Sequence, residues 1–315
     1  MTPPGANPLA PFIEDHGIVI LDGGFATHLE SLGFDLDDAL WSAKALLESP
    51  ELVRQVHLDY FRAGADIATS ATYQATFERL AEHGLDRDLA AGLMTRGVGL
   101  AKDAAAEVAE ERPGPPPVVA ASVGPYGAYL ADGSEYTGDY GRTADELRAF
   151  HRDRFEVLAS SGCDLLALET IPSVVEIEAL VTLLDDYPEM PAWVSFSCRD
   201  TRSLCDGTPF ADALDIARAA PSVIAAGFNC TDPVHAPSLI GVAAQGTLPV
   251  VCYPNGGGGT RGERGWTWNA HSPEAFTADA LGWRRAGATV IGGCCGTTPA
   301  DIAGFAGATR SRTPR

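Results

Sequence analysis

The chain has 315 residues, 45% of them hydrophobic, and a formal charge of −20. That length can bury a sizeable core, and a surface this acidic repels phosphate backbones and anionic lipid, which argues against nucleic-acid and membrane partners. No stretch approaches the roughly 18 consecutive apolar residues of a membrane span, and Met1–Gly17 lacks the basic start and apolar run of an export signal. Seven cysteines in such a chain read as reduced thiols of a cytoplasmic protein, and their odd number argues against a complete disulfide framework.

Eight short apolar runs follow one another: Ile18–Asp22, Asp66–Thr72, Val118–Val123, Asp164–Thr170, Ala192–Cys198, Val223–Cys230, Pro249–Pro254 and Ala288–Cys294. They are continuously apolar rather than alternating, as suits strands of a parallel sheet covered on both faces. Helix signals lie between them. Leu52, Val53, Val56 and Tyr60 form one inward face, and Pro113–Pro117 reads as a loop entering the third strand. Thr143–Glu146 and Ser173–Glu176 are capping-box patterns, the second leading into a stripe of Ile177, Leu180, Val181 and Leu184. Asp232-Pro233, Ser272-Pro273 and Thr298-Pro299 each set a cap residue before a first-turn proline. Ile18 and Ala288 stand 270 residues apart, so each of seven steps spans about 39 residues, enough for a strand, a helix and two loops. Alternation of this kind gives either a doubly wound sheet or a barrel, and eight units without a break favour the barrel. The expectation is one (β/α)₈ TIM-barrel domain with its core from about residue 15 to 308 and a frayed tail from Thr309.

Barrel enzymes gather their reactive groups at the carboxyl ends of the strands. Here those ends carry Asp22-Gly23-Gly24, Glu169-Thr170, Asn229-Cys230, Tyr253-Pro254-Asn255 and Gly292-Gly293-Cys294-Cys295-Gly296. Cys230, Cys294 and Cys295 are the candidate metal ligands. A catalytic zinc site keeps three protein ligands and one open position, and the glycines around the vicinal pair allow the bend that would turn both sulfurs to one ion. The plain alternative is three small buried residues, a common fate of free cysteine. Cys163, Cys198, Cys205 and Cys252 have no such grouping and read as packing.

Three thiolate ligands make Zn²⁺ a poor polariser of carbonyls but leave it able to hold a fourth sulfur as a nucleophilic thiolate, which points to sulfur alkylation rather than hydrolysis. Asp22 and Glu169 are candidates to hold a substrate ammonium group; the alternatives are an Asx turn for Asp22 and an arginine ion pair for Glu169. Phe25, Tyr73, Tyr126, Trp266 and Trp268 offer aromatic faces for a cationic donor. The stretch from Gly256–Gly259 to Trp266 lacks a phosphate-loop ending and reads as a mobile lid.

Seven segments, in order and spanning residue 18 to about 300, resemble the homocysteine S-methyltransferase family: Leu21–Thr27, Ser70–Ala75, Ser122–Tyr136, Ala167–Pro172, Gly227–Cys230, Tyr253–Asn255 and Gly292–Thr297. The long segment Ser122–Tyr136 is similar to members that use S-methylmethionine or a related sulfonium donor. The resemblance implies a (β/α)₈ barrel and zinc on Cys230, Cys294 and Cys295. It implies homocysteine contacts near Asp22 and Glu169, with Gly23, Gly24, Phe25, Thr27, Tyr73, Tyr126, Asn229 and Tyr253 as further substrate-binding candidates. Homocysteine and a sulfonium donor, S-methylmethionine or S-adenosylmethionine, are then the small-molecule partners and methionine a product. Betaine as donor, selenocysteine as acceptor, or a non-catalytic zinc–thiolate protein are the rival readings. The sequence specifies no oligomeric state. One departure concerns the lid: after Tyr253-Pro254-Asn255 the family often continues Ser-Gly-Glu, whereas here Gly256–Gly259 follows and Glu263 comes later.

Overall fold

A computed structural model describes residues 7–35, 42–257, 259–262, 265–268 and 271–310. Its strands are β1 Val19–Ile20, β2 Ile67–Thr69, β3 Val118–Val123, β4 Leu165–Ile171, β5 Ala192–Phe196, β6 Val223–Asn229, β7 Val250–Tyr253, β8 Gly259–Gly262, β9 Gly265–Trp268 and β10 Val290–Ile291. Each of the eight apolar runs contains one strand of a single parallel sheet, ordered β1-β10-β7-β6-β5-β4-β3-β2. An isolated parallel bridge from Leu21 to Ile67 joins the two ends of that order and closes the barrel. The register β1 to β10 pairs Val19 with Val290 and Ile20 with Ile291.

The strands are buried along both faces, and two apolar clusters explain why. Val19, Leu21, Ile67, Val118, Ala120, Leu165, Ala167, Trp193, Ala225, Val251, Tyr253 and Val290 fill the barrel, while the alternate strand residues pack outward on the helices. Large Trp193 and Tyr253 meet edge to face at 6.2 Å across a space left by alanines of neighbouring strands. Leu9 and Phe12 join the interior cluster from the helix Ala10–His16, so packing begins ahead of the expected start near residue 15.

The helices follow their signals. Val53, Val56 and Tyr60 are fully buried on Pro50–Arg62, and Thr143 forms a complete capping box with Glu146. At the second box pattern Ser173 does accept from Glu176 N, but the Glu176 carboxylate turns to His151 and Tyr126 N instead of closing the box. Asp232-Pro233 opens a short 3₁₀ turn, whereas Ser272-Pro273 and Thr298-Pro299 open α-helices. The expected fraying at Thr309 is corrected. Helix Pro299–Arg310 runs through it and Thr309 is buried, because Arg310 ties that end to Gly64 O and Asp66.

The expected lid contains an antiparallel hairpin, β8 on β9, with Gly259 opposite Trp268. Gly258 and Glu263 lie outside the described residues, as do the side chains of Trp266 and Trp268. No described helix is long and apolar enough to cross a membrane.

Candidate active site and metal centre

β6 delivers Cys230 to the carboxyl-end rim of the barrel, and the turn after β10 delivers Cys294 and Cys295. Their three sulfurs lie within 4.8 Å of one another, with Cys230 Sγ 3.8 Å and Cys294 Sγ 4.0 Å from Cys295 Sγ. Two thiolates sharing a tetrahedral ion through bonds of about 2.3 Å stand about 3.8 Å apart, so the spacing fits a common metal. Hydrogen bonding among the three sulfurs pulls the Cys230 pKa well below the usual thiol range and, with burial, raises those of Cys294 and Cys295. Cys163, Cys198 and Cys252 are buried, and burial pushes each thiol up. Half-buried Cys205 faces Ser197 Oγ at 3.5 Å.

Backbone conformation makes the convergence possible. Cys230 has φ +47°, a left-handed setting unusual for a residue with a side chain, and it re-aims the sulfur as the strand ends. The turn bearing the vicinal pair is pinned by Cys294 N to Pro254 O at 2.8 Å, Gly256 N to Cys295 O at 2.8 Å and Thr297 Oγ1 to Cys294 O at 2.6 Å. Gly292 must be glycine, since a Cβ there would stand 2.6 Å from Asp22 O.

The nominated carboxylates share this rim. Asp22 accepts from Thr69 N at 2.8 Å and Thr69 Oγ1 at 3.2 Å, so it links strands rather than forming an Asx turn. Glu169 accepts from Ser122 Oγ and from Tyr253 Oη at 3.0 Å. Among the described residues neither pairs with a cation, which sets aside the arginine ion pair considered for Glu169. Burial raises both pKa values, Asp22 well above the carboxylate range and Glu169 to about 7; Asp22 also feels the charge of Glu169. Such a pair favours a ligand that brings its own positive charge.

The remaining nominees divide by what they touch. Tyr253 anchors Glu169 and itself meets Ser195 Oγ at 2.6 Å and Trp193 Nε1 at 3.2 Å. Asn229 exchanges two 2.7 Å bonds with Thr170, holding it at φ +61° and so orienting adjacent Glu169. Tyr73 is half-buried, with its phenol beside Thr170, Cys230 and Glu169; desolvation there raises its pKa well above the usual phenol range. Gly23, Gly24 and Thr27 knit the rim together. A Cβ on Gly23 would meet Thr297 and Tyr60 at 2.8 Å, Gly24 N donates to Thr297 Oγ1 at 2.8 Å, and Thr27 Oγ1 accepts from Gly296 N at 2.9 Å.

Phe25 packs on buried His57 at 5.3 Å. Tyr126 sits in a ring cluster with Tyr129, Tyr140 and Phe150, and its hydroxyl accepts from Arg142. One neighbour of the sulfurs escaped sequence reasoning: Tyr136 Oη lies 3.1 Å from Cys230 Sγ. It ends the segment Ser122–Tyr136, which resemblance singled out, but no spacing in that segment marks the phenol.

Comparison with known proteins identifies relatives over nearly the whole chain. The family model "Homocysteine S-methyltransferase" matches residues 19–309. The homocysteine S-methyltransferase YbgG of Bacillus subtilis is 46% identical over 311 residues, covering 97% of this chain and 98% of that protein. The homocysteine S-methyltransferase of Escherichia coli is 48% identical over 301 residues, covering 94% and 97%. The crystal structure of the homocysteine methyltransferase MmuM from Escherichia coli in its metallated form superposes with a TM-score of 0.87 at 46% identity, covering 96% of this chain and 100% of that one. With a family model matched over residues 19–309 and relatives matched over nearly their full length, the chain belongs to the homocysteine S-methyltransferase family.

Proposed function

We propose that this methyltransferase takes its methyl group from a sulfonium donor, S-methylmethionine or S-adenosylmethionine, and that Cys230, Cys294 and Cys295 hold zinc. The observation that carries the reading is the sulfur triad, within 4.8 Å, on the same rim as two buried carboxylates that have no cationic partner among the described residues. Zinc bound by three thiolates would keep an incoming thiol deprotonated and nucleophilic at neutral pH.

The chain's own residues do the rest. Asp22 and Glu169 receive the homocysteine ammonium group, which brings to their buried oxygens the charge that Thr69, Ser122 and Tyr253 cannot supply. Asn229, by fixing Thr170, keeps Glu169 in place while substrate enters and leaves. The homocysteine sulfur then attacks the donor methyl carbon in line. A new carbon–sulfur bond forms as the sulfonium carbon–sulfur bond breaks, and the electron pair returns to the donor sulfur. Thiolate and sulfonium charges vanish together, so a site screened from water favours the step. S-methylmethionine would give two molecules of methionine per turnover.

Metal analysis of the purified protein, joined to a donor panel with homocysteine as acceptor, tests both parts. One zinc per chain and turnover with a sulfonium are expected. Full turnover after complete chelation, or methyl transfer from betaine alone, would overturn the proposal.

A further inference from the structure

The 3₁₀ turn Ser134–Tyr136 is held from several directions. Asp132 accepts from Ser134 N at 2.9 Å, and Gly138 N donates to Ser134 O at 2.8 Å. Ser197 Oγ donates to Glu135 O at 3.0 Å. Gly127 passes so close that a Cβ on it would stand 2.3 Å from Glu135 N. A turn fixed this firmly aims one side chain at the sulfurs, with Tyr136 Oη 3.1 Å from Cys230 Sγ. A ligating sulfur has no proton, so the phenol must be the donor.

Cys230 needs such a partner more than its fellows do. The turn carrying Cys294 and Cys295 is pinned through its backbone, whereas Cys230 leaves a strand at φ +47°. We propose that Tyr136 is a positioning residue for methyl transfer: its O–H donates to Cys230 Sγ, fixes that side chain within the triad and weakens its sulfur as an electron donor. A hydrogen bond to a charged sulfur stabilises the lone pairs that would otherwise be given to the metal, and groups one bond removed from a metal routinely tune it in this way. The inference rests on reading the triad as metal ligands.

The cobalt(II)-substituted protein tests it by a signal other than turnover. Thiolate-to-cobalt charge-transfer absorption reports the energy of the sulfur lone pairs. Tyr136→Phe removes only the donor, and its band should move to longer wavelength with cobalt still bound at one per chain. Site-specific 3-fluorotyrosine at position 136, a stronger donor, should move the band to shorter wavelength. It keeps every contact of the phenol, so it gives a result even where the phenylalanine variant folds poorly. Superimposable charge-transfer bands in all three proteins would sink the inference. A wild-type protein that binds cobalt with no sulfur charge transfer at all would overturn the triad reading itself.

Discussion

The two ends of the barrel bury carboxylates in opposite ways. At the floor, Asp66 is 1% exposed and saturated: Ile20 N donates at 3.0 Å, and His16 Nε2, Arg112 and Arg310 approach at 3.1, 3.4 and 2.7 Å. At the rim, Asp22 and Glu169 are 4% and 7% exposed, yet among the described residues they meet only backbone and hydroxyl donors. Burial is nearly equal, so burial does not separate them. The difference lies in where a compensating cation comes from: the chain supplies it at the floor, and at the rim the proposed function assigns that place to a substrate ammonium. A buried acid without a basic neighbour thus marks the working end of the molecule.

Substitutions at the two ends should therefore fail differently. The largest effect belongs to the sulfurs. Cys294→Ser should abolish both metal retention and methyl transfer while leaving the far-UV circular dichroism of the barrel intact; a metal-loaded, active serine variant would contradict the assignment. Glu169→Gln comes next. Removing a buried charge from its partner costs about 2–4 kcal/mol, or roughly 30- to 1,000-fold in kcat/KM for homocysteine. It should also erase a pH dependence. The free carboxyl titrates at about 7, so wild-type kcat/KM should climb as pH rises through that value and the carboxylate forms, whereas the glutamine variant should lack this limb. The same raised pKa makes the substrate-free fold lose stability between the ordinary carboxylate range and about 7, because the folded form there binds more protons than the unfolded one.

Asp66→Asn should show the reverse pattern, with stability down by about 3–5 kcal/mol as two guanidiniums lose their shared anion, and KM for homocysteine unmoved. A thermal melt beside steady-state kinetics separates the two outcomes. His16 adds a pH signature at the floor. Its pKa is raised mainly by the hydrogen bond to Asp66, so its contribution is complete below about 6.5 and fades as pH rises through the elevated folded value. The smallest effect is expected from Ala131→Gly. Ala131 ends the helix Tyr126–Leu130 at φ +55°, so glycine should stabilise by about 1 kcal/mol. An unchanged melting temperature would show that this backbone setting carries no strain.

The barrel was readable because its strands are covered on both sides, which leaves unbroken apolar runs that composition alone reveals. Cys230, Asp22 and Glu169 were readable for a related reason: polar or reactive residues closing such runs stand at strand ends, and strand ends share one rim. What stayed hidden depends on contacts between distant segments. Tyr136 reaches Cys230 only through the packing of Gly127 and Ser197 on its turn. Asp66 begins a strand like any other acid, and nothing local announces Arg112 and Arg310. The Ser173–Glu176 pattern was right for the cap and wrong for the glutamate, because buried His151 competes for it at 2.8 Å. Thr309 lies in tail-like composition, and its order depends on Arg310 binding back across the floor to Gly64 O and Asp66.

The seam where β1 meets β10 joins the earliest strand of the barrel to the latest, and the vicinal cysteines follow that last strand by three residues. A growing polypeptide that has emerged from the ribosome only as far as β7 owns a single sulfur of the triad. The proposed metal site therefore cannot assemble until the final stave is laid.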